Sequence, residues 1–319
     1  MLQVAGYAAI IVVVIVVALV ALWLFGERGR LLRPSTRAYL QALGGWRQIF
    51  SKRFWEGYAY MRWSEQYINW SRRWLFPRVR DGGPENPLWA TVYHGKIMPV
   101  EAAKALISIE QPVPLQPLEQ IIPYTTARDI VLSGPPEVAV YECPCRAGVE
   151  NPCQPTQVCM VVGQPFVDFI LEHNPASSRR ITTAEALALL DAEHARGHIH
   201  AAYFKDVMLE RFYAICNCCS CCCGGIQAMR ERGVPMVIPS GYVARVNAEA
   251  CLGCGTCEAS CPFNAITVSA HAEVNWSACM GCGVCEGQCP EGAIALVLDA
   301  GKGQPLDVHR LRREAGQPV

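Results

Sequence analysis

The sequence predicts an α+β protein, and three features of its pattern lead to this fold class. An almost wholly apolar N-terminal run predicts a transmembrane helix, aromatic residues at helical spacing predict an amphipathic collar, and a repeated cysteine pattern predicts a C-terminal (βαβ)2 module. The expected parts are a single transmembrane helix, juxtamembrane amphipathic helices, a cysteine-rich α+β domain, the repeated module and a mobile tail. Their boundaries are 1–26, 27–80, 81–244, 245–298 and 299–319.

The N-terminal run from Leu2 to Phe25 is apolar apart from Gln3. About 20 such residues cross a bilayer, so the run is long enough for one transmembrane helix. A cleaved signal peptide is the alternative, but it needs a charged start and a cleavage site between small residues. Because arginines follow the run and no Lys or Arg precedes it, the positive-inside rule predicts a single-pass protein of the cytoplasmic membrane with a cytoplasmic C-terminal domain.

Residues 28–80 form the predicted collar and are strongly basic, with Glu56 and Glu65 as their acidic residues. Aromatic residues recur there at spacings of three and four, which is typical of one helix face. They are Tyr60, Trp63, Tyr67, Trp70 and Trp74. We expect Trp63, Tyr67, Trp70 and Trp74 to meet membrane lipid or a membrane partner at the headgroup boundary. The alternative is a packed helix whose aromatic side chains fill a core. The remaining chain is acidic, which argues against nucleic acid as a partner.

Two cysteine runs near the C-terminus have the same spacing, Cys-x2-Cys-x2-Cys-x3-Cys-Pro. This spacing is typical of a pair of [4Fe–4S] clusters, in which three cysteines of one run and the fourth cysteine of the other hold each cluster. The predicted ligand sets are Cys251, Cys254, Cys257 and Cys289 for cluster 1, and Cys279, Cys282, Cys285 and Cys261 for cluster 2. Residues 245–298 resemble the bacterial two-[4Fe–4S] ferredoxin family. A pair of four-thiolate zinc sites is the alternative.

Ten further cysteines lie upstream, and we expect them to hold one or two additional [4Fe–4S] clusters. They are Cys143, Cys145, Cys153, Cys159, Cys216, Cys218, Cys219, Cys221, Cys222 and Cys223. If residues 216–223 are extended, alternation places Cys219, Cys221 and Cys223 on one side and Cys216, Cys218 and Cys222 on the other. Two four-cysteine sites with two thiols left over, and one cluster with unligated thiols, fit the count equally. Zinc or copper binding and inert buried thiols are further alternatives.

Residues from about 94 to 242 resemble an uncharacterised family of membrane-associated bacterial iron–sulfur proteins. The resemblance lies in five short motifs: Tyr93–Met98, Leu118–Tyr124, Ala127–Asp129, Cys143-Pro-Cys-Arg146 and Ile215-Cys-Asn-Cys-Cys-Ser-Cys-Cys-Cys223. It implies iron–sulfur chemistry and leaves the substrate open. Arg146, next to Cys145, is expected either to donate to cluster sulfurs or to form a simple ion pair.

Local patterns predict several elements of the cysteine-rich domain. We expect helices at Val100–Ile107 and Phe204–Ala214, and Thr182 with Glu185 forms a capping box that opens another helix. Residues 77–87 are expected to form a loop and 112–117 an extended proline-rich stretch. His194, His198 and His200 are expected to be structural rather than metal ligands, because no carboxylate completes their set.

These features together predict a membrane-anchored iron–sulfur electron-transfer protein, more an electron-transfer subunit of a membrane redox complex than a stand-alone enzyme. The alternative is a reductase with a substrate-active cluster or thiol pair at Cys216–Cys223, fed by the C-terminal module. A weaker alternative is a redox sensor or metal-handling protein. The chain lacks Gly-x-Gly-x-x-Gly and P-loop motifs, so no nucleotide is expected as a ligand.

Overall fold

The computed structural model describes residues 2–75, 93–109, 136–308 and 313. In the first helix, side chains are described for Tyr7 and from Ile10 onward. The predicted loop at 77–87, the extended stretch at 112–117 and the motifs at 118–124 and 127–129 lie outside the described residues. The predicted boundary between collar and cysteine-rich domain lies there as well.

The N-terminal part is helical. Its elements are α1 (Leu2–Gly26), α2 (Pro34–Ala42), a 3₁₀ turn (Trp46–Phe50), α3 (Lys52–Arg62), α4 (Ser64–Trp70) and a π-helical turn (Ser71–Leu75). The collar is therefore not one continuous helix. Trp63 has non-helical backbone angles (φ −127°, ψ 49°), and this break changes the direction of the chain between α3 and α4.

The prediction of a transmembrane helix is wrong. Among the described residues, no helix has the length and apolar character that crossing a membrane requires. The single-pass location in the cytoplasmic membrane, which rested on that span, is corrected with it. The interfacial role predicted for Trp63, Tyr67, Trp70 and Trp74 stays a prediction.

A seven-stranded sheet organises the cysteine-rich domain, so the predicted α+β class is confirmed. Its strands are β1 (Tyr93–Met98), β2 (Val138–Glu142), β3 (Gln157–Val162), β4 (Ser178–Ile181), β5 (Ile199–Lys205), β6 (Arg211–Cys218) and β7 (Val237–Ile238). They lie in the order β4-β2-β3-β6-β5-β1-β7. All neighbours are antiparallel except β1 and β7. This order brings the cysteine-bearing ends of β2, β3 and β6 together.

In the described part of the domain, five helices pack around this sheet: α5 (Val100–Ile107), α6 (Pro144–Ala147), α7 (Phe166–His173), α8 (Thr183–Ala195) and α9 (Gly224–Arg232). The predicted helix at Val100–Ile107 is confirmed, and so is the Thr182–Glu185 capping box of α8. The predicted helix at Phe204–Ala214 is wrong, because β5 and β6 pair there as a hairpin. Its turn holds Leu209 and Glu210 at positive φ, which a helix does not allow.

Apolar side chains fill both faces of the sheet, as alternation along its strands requires. Ala201 and Tyr203 of β5 belong to one core, whereas Ala202 and Phe204 belong to the other. The first core also takes in Tyr60 of α3, with Trp63 and Tyr67 packed against it. The collar aromatics therefore largely fill a core, the alternative noted from the sequence, while Trp70 and Trp74 are exposed.

The C-terminal module contains β8 (Tyr242–Val246), α10 (Thr256–Ser260), β9 (Ile266–Val268), β10 (Ala272–Val274), α11 (Val284–Gly287) and β11 (Ile294–Leu298). β8 pairs with β11 and β9 with β10, both antiparallel. The C-terminal tail was expected to be mobile, but its described first part is folded. A 3₁₀ turn spans Ala300–Lys302, and Leu306 and Val308 are buried in the second core.

Candidate metal centres

The four cysteines of the predicted cluster 1 line one cavity of the C-terminal module. Cys251, Cys254 and Cys257 come from the loop before α10, and Cys289 comes from the second repeat. Gly253 and Gly255 turn this loop at φ +65° and +81°, a conformation that costs other residues energy. The loop therefore wraps three sides of a cavity whose fourth side is formed by the other repeat.

The four cysteines of the predicted cluster 2 line a second cavity. Cys279, Cys282 and Cys285 surround it together with Cys261 from the first repeat. The crossing thiols are held by backbone donors, since the Ala265 N–H donates to Cys261 Sγ at 3.2 Å and the Ala293 N–H donates to Cys289 Sγ at 3.3 Å. The two cavities thus have matching construction, and each brings together one predicted ligand set.

The two cavities differ in solvent exposure. Cys254 is exposed, and the Thr256 hydroxyl holds the pKa of its thiol below the ordinary value. Cys279, Cys282 and Cys285 are buried, and burial raises the pKa of Cys282 to about 12. A thiolate in the second cavity therefore needs compensation from a bound metal centre. We refer to the two cavities as the outer and the inner site.

Six of the ten upstream cysteines line one cavity and influence one another's pKa values in a closed sequence, and we call them the thiol ring. The interactions run Cys143–Cys145, Cys145–Cys223, Cys223–Cys218, Cys218–Cys216, Cys216–Cys159 and Cys159–Cys143. Hydrogen bonding to Cys145 and Cys159 raises the pKa of Cys143 well above its usual value, while Cys143 and Cys223 lower the pKa of Cys145. Mutual interaction of this kind is what metal binding would replace.

The thiol ring is assembled by the ends of several elements. Cys143 precedes α6, Cys159 lies on β3, and Cys216 and Cys218 lie two residues apart on β6, so they share a side of that strand. Cys223 is the N-cap residue of α9. The pKa of Cys145 is lowered by Cys143 and Cys223 and, to a smaller extent, by the Gly224 N–H, whereas Cys145 raises the pKa of Cys223 well above its ordinary value despite the Ile226 N–H.

The ring lines a cavity of about 50 Å³ whose other walls are largely aromatic. The aromatic side chains are Tyr60, Tyr93, Tyr141 and Tyr203. Burial raises the pKa of Tyr203 well above its ordinary value, so its hydroxyl keeps its proton. In the same wall, Nε of the buried Arg146 has no hydrogen-bond partner among the described residues. A buried cation with a spare N–H donor fits an anionic iron–sulfur cluster in this cavity.

The remaining donors of Arg146 hold a buried network beside the ring. Its Nη2 lies 2.8 Å from Glu193 Oε2 and 3.2 Å from the carbonyl of Asn217, and another donor reaches the Pro155 carbonyl. His198 Nδ1 lies 2.7 Å from the same oxygen of Glu193. The ion pair expected for Arg146 is therefore present, and donation from its Nε to cluster sulfurs stays a prediction.

The other four upstream cysteines form a second group, which we call the thiol tetrad: Cys153, Cys219, Cys221 and Cys222. Their sulfur atoms all lie within 4.8 Å of one another. Burial raises the pKa of Cys219 to about 11, and the Arg146 guanidinium acts on it in the opposite direction. Cys219 and Cys222 also line the cavity of the ring, so the tetrad lies at the edge of that cavity.

The ten cysteines therefore divide six and four, rather than into two sets of four with two left over. The alternation prediction is right for Cys216 and Cys218, which lie on β6. It fails for Cys222 and Cys223, because the chain turns after Cys218 and α9 begins at Gly224. Neighbouring cysteines consequently join different groups.

The π-helical turn of the collar covers this region, a role that the sequence analysis missed. Arg72 donates from Nη1 to the Cys145 carbonyl at 3.2 Å and from Nη2 to the Gln227 side chain. A Cβ on Gly148 would overlap the side chain of Asn69, so α4 packs closely on the turn after α6. The Arg72–Cys145 contact spans 73 positions, and no local pattern indicates it.

Histidines connect the ring region to the inner site. The ring centroids of His194 and His200 lie 5.8 Å apart, and His200 Nδ1 lies 2.7 Å from Oδ1 of Asn217, between Cys216 and Cys218. At the other end, His194 packs against Gly287, where a Cβ would overlap its ring. Within the described residues, no histidine belongs to a group of closely spaced metal-ligating side chains.

Residues 244–290 match the family model described as 4Fe-4S dicluster domain. This match confirms that the C-terminal part is ferredoxin-like and supports [4Fe–4S] binding there. A comparison with curated proteins and one with solved structures gave no match. The resemblance of residues 94–242 to a membrane-associated iron–sulfur family stays a prediction. Through residues 244–290, the chain is similar to proteins that carry two [4Fe–4S] clusters.

Proposed function

We propose that this chain is an iron–sulfur electron-transfer protein that moves electrons between the dicluster module and a metal centre at the thiol ring. The observation that carries the proposal is the ring itself: its six cysteines line one cavity, with Cys219 and Cys222 of the tetrad at the edge, in a domain packed against a module of the dicluster type. An iron–sulfur cluster, when bound, supplies reversible one-electron chemistry. The surrounding residues supply ligands, burial and charge.

The ring would hold one polynuclear iron–sulfur centre. A single cubane takes four terminal thiolates, so six interacting thiols provide more ligands than one cubane uses. The cavity is much smaller than the roughly 300–1,000 Å³ of pockets that bind organic molecules. This size favours an inorganic centre over the reductase alternative, in which a substrate would have to reach Cys216–Cys223.

Exposure suggests the order in which the sites act. Cys254 of the outer site is exposed, whereas the inner site is buried and packs through α11 on α8. A hydrogen bond from Gln288 Nε2 to the carbonyl of Ala195 at 3.0 Å strengthens this contact. We therefore place the outer site next to a soluble or protein redox partner, the inner site behind it, and the thiol ring last.

The test is metal analysis with spectroscopy on the full chain purified without oxygen. The dicluster module alone accounts for about 8 iron and 8 sulfide. We expect about 12 or more of each, and we expect Cys218→Ser to return the protein to about 8 while the dicluster signals persist. Rapid mixing with a reductant should then reduce the ring centre more slowly in Cys282→Ser than in the parent protein.

Two results would overturn the proposal. A parent protein with about 8 iron would leave the ring without a cluster. A ring centre that is reduced equally fast in Cys282→Ser and the parent would show that electrons do not pass through the inner site. Because the Cys282 substitution lies outside the ring, loss of its own cluster does not remove the ring centre that is being followed.

A further inference from the structure

We propose that the thiol tetrad binds a single thiophilic divalent ion, zinc or ferrous iron, in a tetrahedral site without sulfide. The tetrad would be a fourth metal site in the molecule, in addition to the outer site, the inner site and the thiol ring. It does not depend on the proposed electron transfer.

Sulfur spacing carries the inference. Four thiolates on one ion, at a metal–sulfur distance of about 2.3 Å, lie about 3.8 Å apart. In the tetrad, every sulfur lies within 4.8 Å of every other one, with Cys221 Sγ 3.6 Å from Cys222 Sγ and 2.8 Å from Cys153 Sγ. The thiolates of a cubane sit on four different irons and therefore stand farther apart than thiolates on one ion.

The dicluster module provides an internal comparison. All eight of its cysteines are described, and they line two cavities in sets of four. Across the described residues, however, the tetrad is the one group of metal-ligating side chains that meets the 4.8 Å spacing. The fold thus spaces cluster-type ligands widely and gathers the tetrad tightly, which distinguishes a single-ion site from a cluster site.

The ligand set favours a structural ion. Four cysteines complete a tetrahedron and leave no open position for water or substrate, as in structural zinc sites. Four thiolates on a divalent ion carry a net charge of −2, and the buried Arg146 guanidinium beside Cys219 offsets part of it. The Cys153 N–H, directed at Cys222 Sγ at 3.5 Å, adds a further donor.

The position of the tetrad indicates what the ion would do. Cys153 lies in the loop between α6 and β3, and the other three lie in the turn between β6 and α9. Cysteines of the thiol ring flank both segments: Cys145 and Cys159 lie on either side of the loop, and Cys218 and Cys223 on either side of the turn. An ion shared by the loop and the turn would tie these segments together at the edge of the ring cavity, since Cys219 and Cys222 line it.

The experiment compares Cys221→Ser with Ser220→Ala, a substitution in the same turn that removes no thiol. Zinc, iron and sulfide are measured per chain in anaerobically purified full-length protein, with the zinc-edge X-ray absorption of the parent. We expect Cys221→Ser to lose one ion and no sulfide, and Ser220→Ala to keep both.

If the ion is zinc, absorption should show four sulfurs at about 2.3 Å and no neighbouring metal. If it is iron, Mössbauer spectra should show one sulfide-free ferrous site.

Three results would overturn the inference. Loss of about four iron and four sulfide in Cys221→Ser would show that the tetrad holds a cubane. A Cys153–Cys221 disulfide in peptide maps of the anaerobic parent would make the group a redox pair. Four free thiols without metal would leave no site at all. The spectra of the parent protein test the inference even if a variant does not fold. Loss of ring iron in Cys218→Ser with retention of the single ion would separate this inference from the proposed function.

Discussion

Cys222 and Cys223 are neighbours in the chain, yet they belong to different thiol groups. Cys223 caps α9 and interacts with Cys145 and Cys218 in the ring, whereas Cys222 lies one residue earlier in the turn and joins the tetrad. The geometry of the turn thus decides which of the two thiol groups each cysteine joins, and the number of cysteines alone does not.

Gly281 has a comparable role in the inner site. It lies at φ +64°, and a Cβ there would overlap the carbonyl oxygen of Tyr242. We expect Gly281→Ala to displace the loop that carries Cys279 and Cys282, and to lose about four iron atoms per chain. Metal analysis and low-temperature electron paramagnetic resonance of the reduced protein measure this loss.

Gly292→Ala is the matched control, because Gly292 has a similar φ of +59° but no atom lies within 4 Å of the place that its Cβ would take. It should cost only the left-handed backbone strain, roughly 1–2 kcal/mol, and keep its iron. Equal iron loss in both variants would show that backbone strain, rather than the contact with Tyr242, governs the inner site.

At the scale of elements, the collar acts as a cover for the thiol ring. Two side-chain hydrogen bonds of Arg72 join the π-helical turn to α6 and α9, and its charge lowers the pKa of Cys145 together with the neighbouring thiols. We expect Arg72→Met to lower the stability by about 2 kcal/mol, at roughly 1 kcal/mol for each bond lost. Removal of the positive charge should also make the ring centre harder to reduce.

Thermal unfolding and a potentiometric titration of the ring signal test this prediction. Arg73→Met is the control, because Arg73 is adjacent and exposed. It should change neither the melting temperature nor the reduction potential. If both variants shift the potential equally, the effect comes from general surface charge rather than from the cover.

A second element, α7, ends in a buried histidine. His173 stacks on Phe169, and its Nδ1 donates to the carbonyl of Gly26 at 3.2 Å. Burial lowers its pKa to about 4, against about 6.5 in an unfolded chain. Between these values the unfolded chain binds a proton that the folded chain does not, so stability falls as the pH drops from about 6.5 to about 4.

The expected loss is roughly 3 kcal/mol across that interval. Melting temperatures of the parent and His173→Gln should therefore converge as the pH falls, because the variant lacks the titrating group. His271→Gln, at an exposed histidine, should follow the parent at every pH. Parallel curves for the parent and His173→Gln would contradict the burial of a neutral histidine.

At the scale of the whole molecule, local patterns predicted what local interactions decide. The spacing of the C-terminal cysteines predicted two ligand sets that surround two cavities, and the capping box at Thr182 was correct, because turn and cap geometry act over a few residues. The hairpin at Phe204–Ala214 was missed because its strands are also held by β1 and β3, which are distant in sequence. The division of the upstream cysteines was missed for the same reason: it depends on the order of β2, β3 and β6.

On the proposed function, the arrangement of the outer site, the inner site and the thiol ring predicts a fixed order of chemical attack. Cys254 and Leu252 of the outer site are exposed, at 72% for Leu252, whereas the inner-site cysteines other than Cys261 are buried. A water-soluble oxidant such as ferricyanide should therefore remove iron first from the outer site, then from the inner site and the ring. We expect iron release in distinct phases, with a fast first phase of about four iron atoms per chain. Cys254→Ser should abolish the fast phase and leave the slower ones. If the slow phases accelerate in that variant, the outer site shields the inner one, and attack proceeds inward along the same order that we propose for electrons.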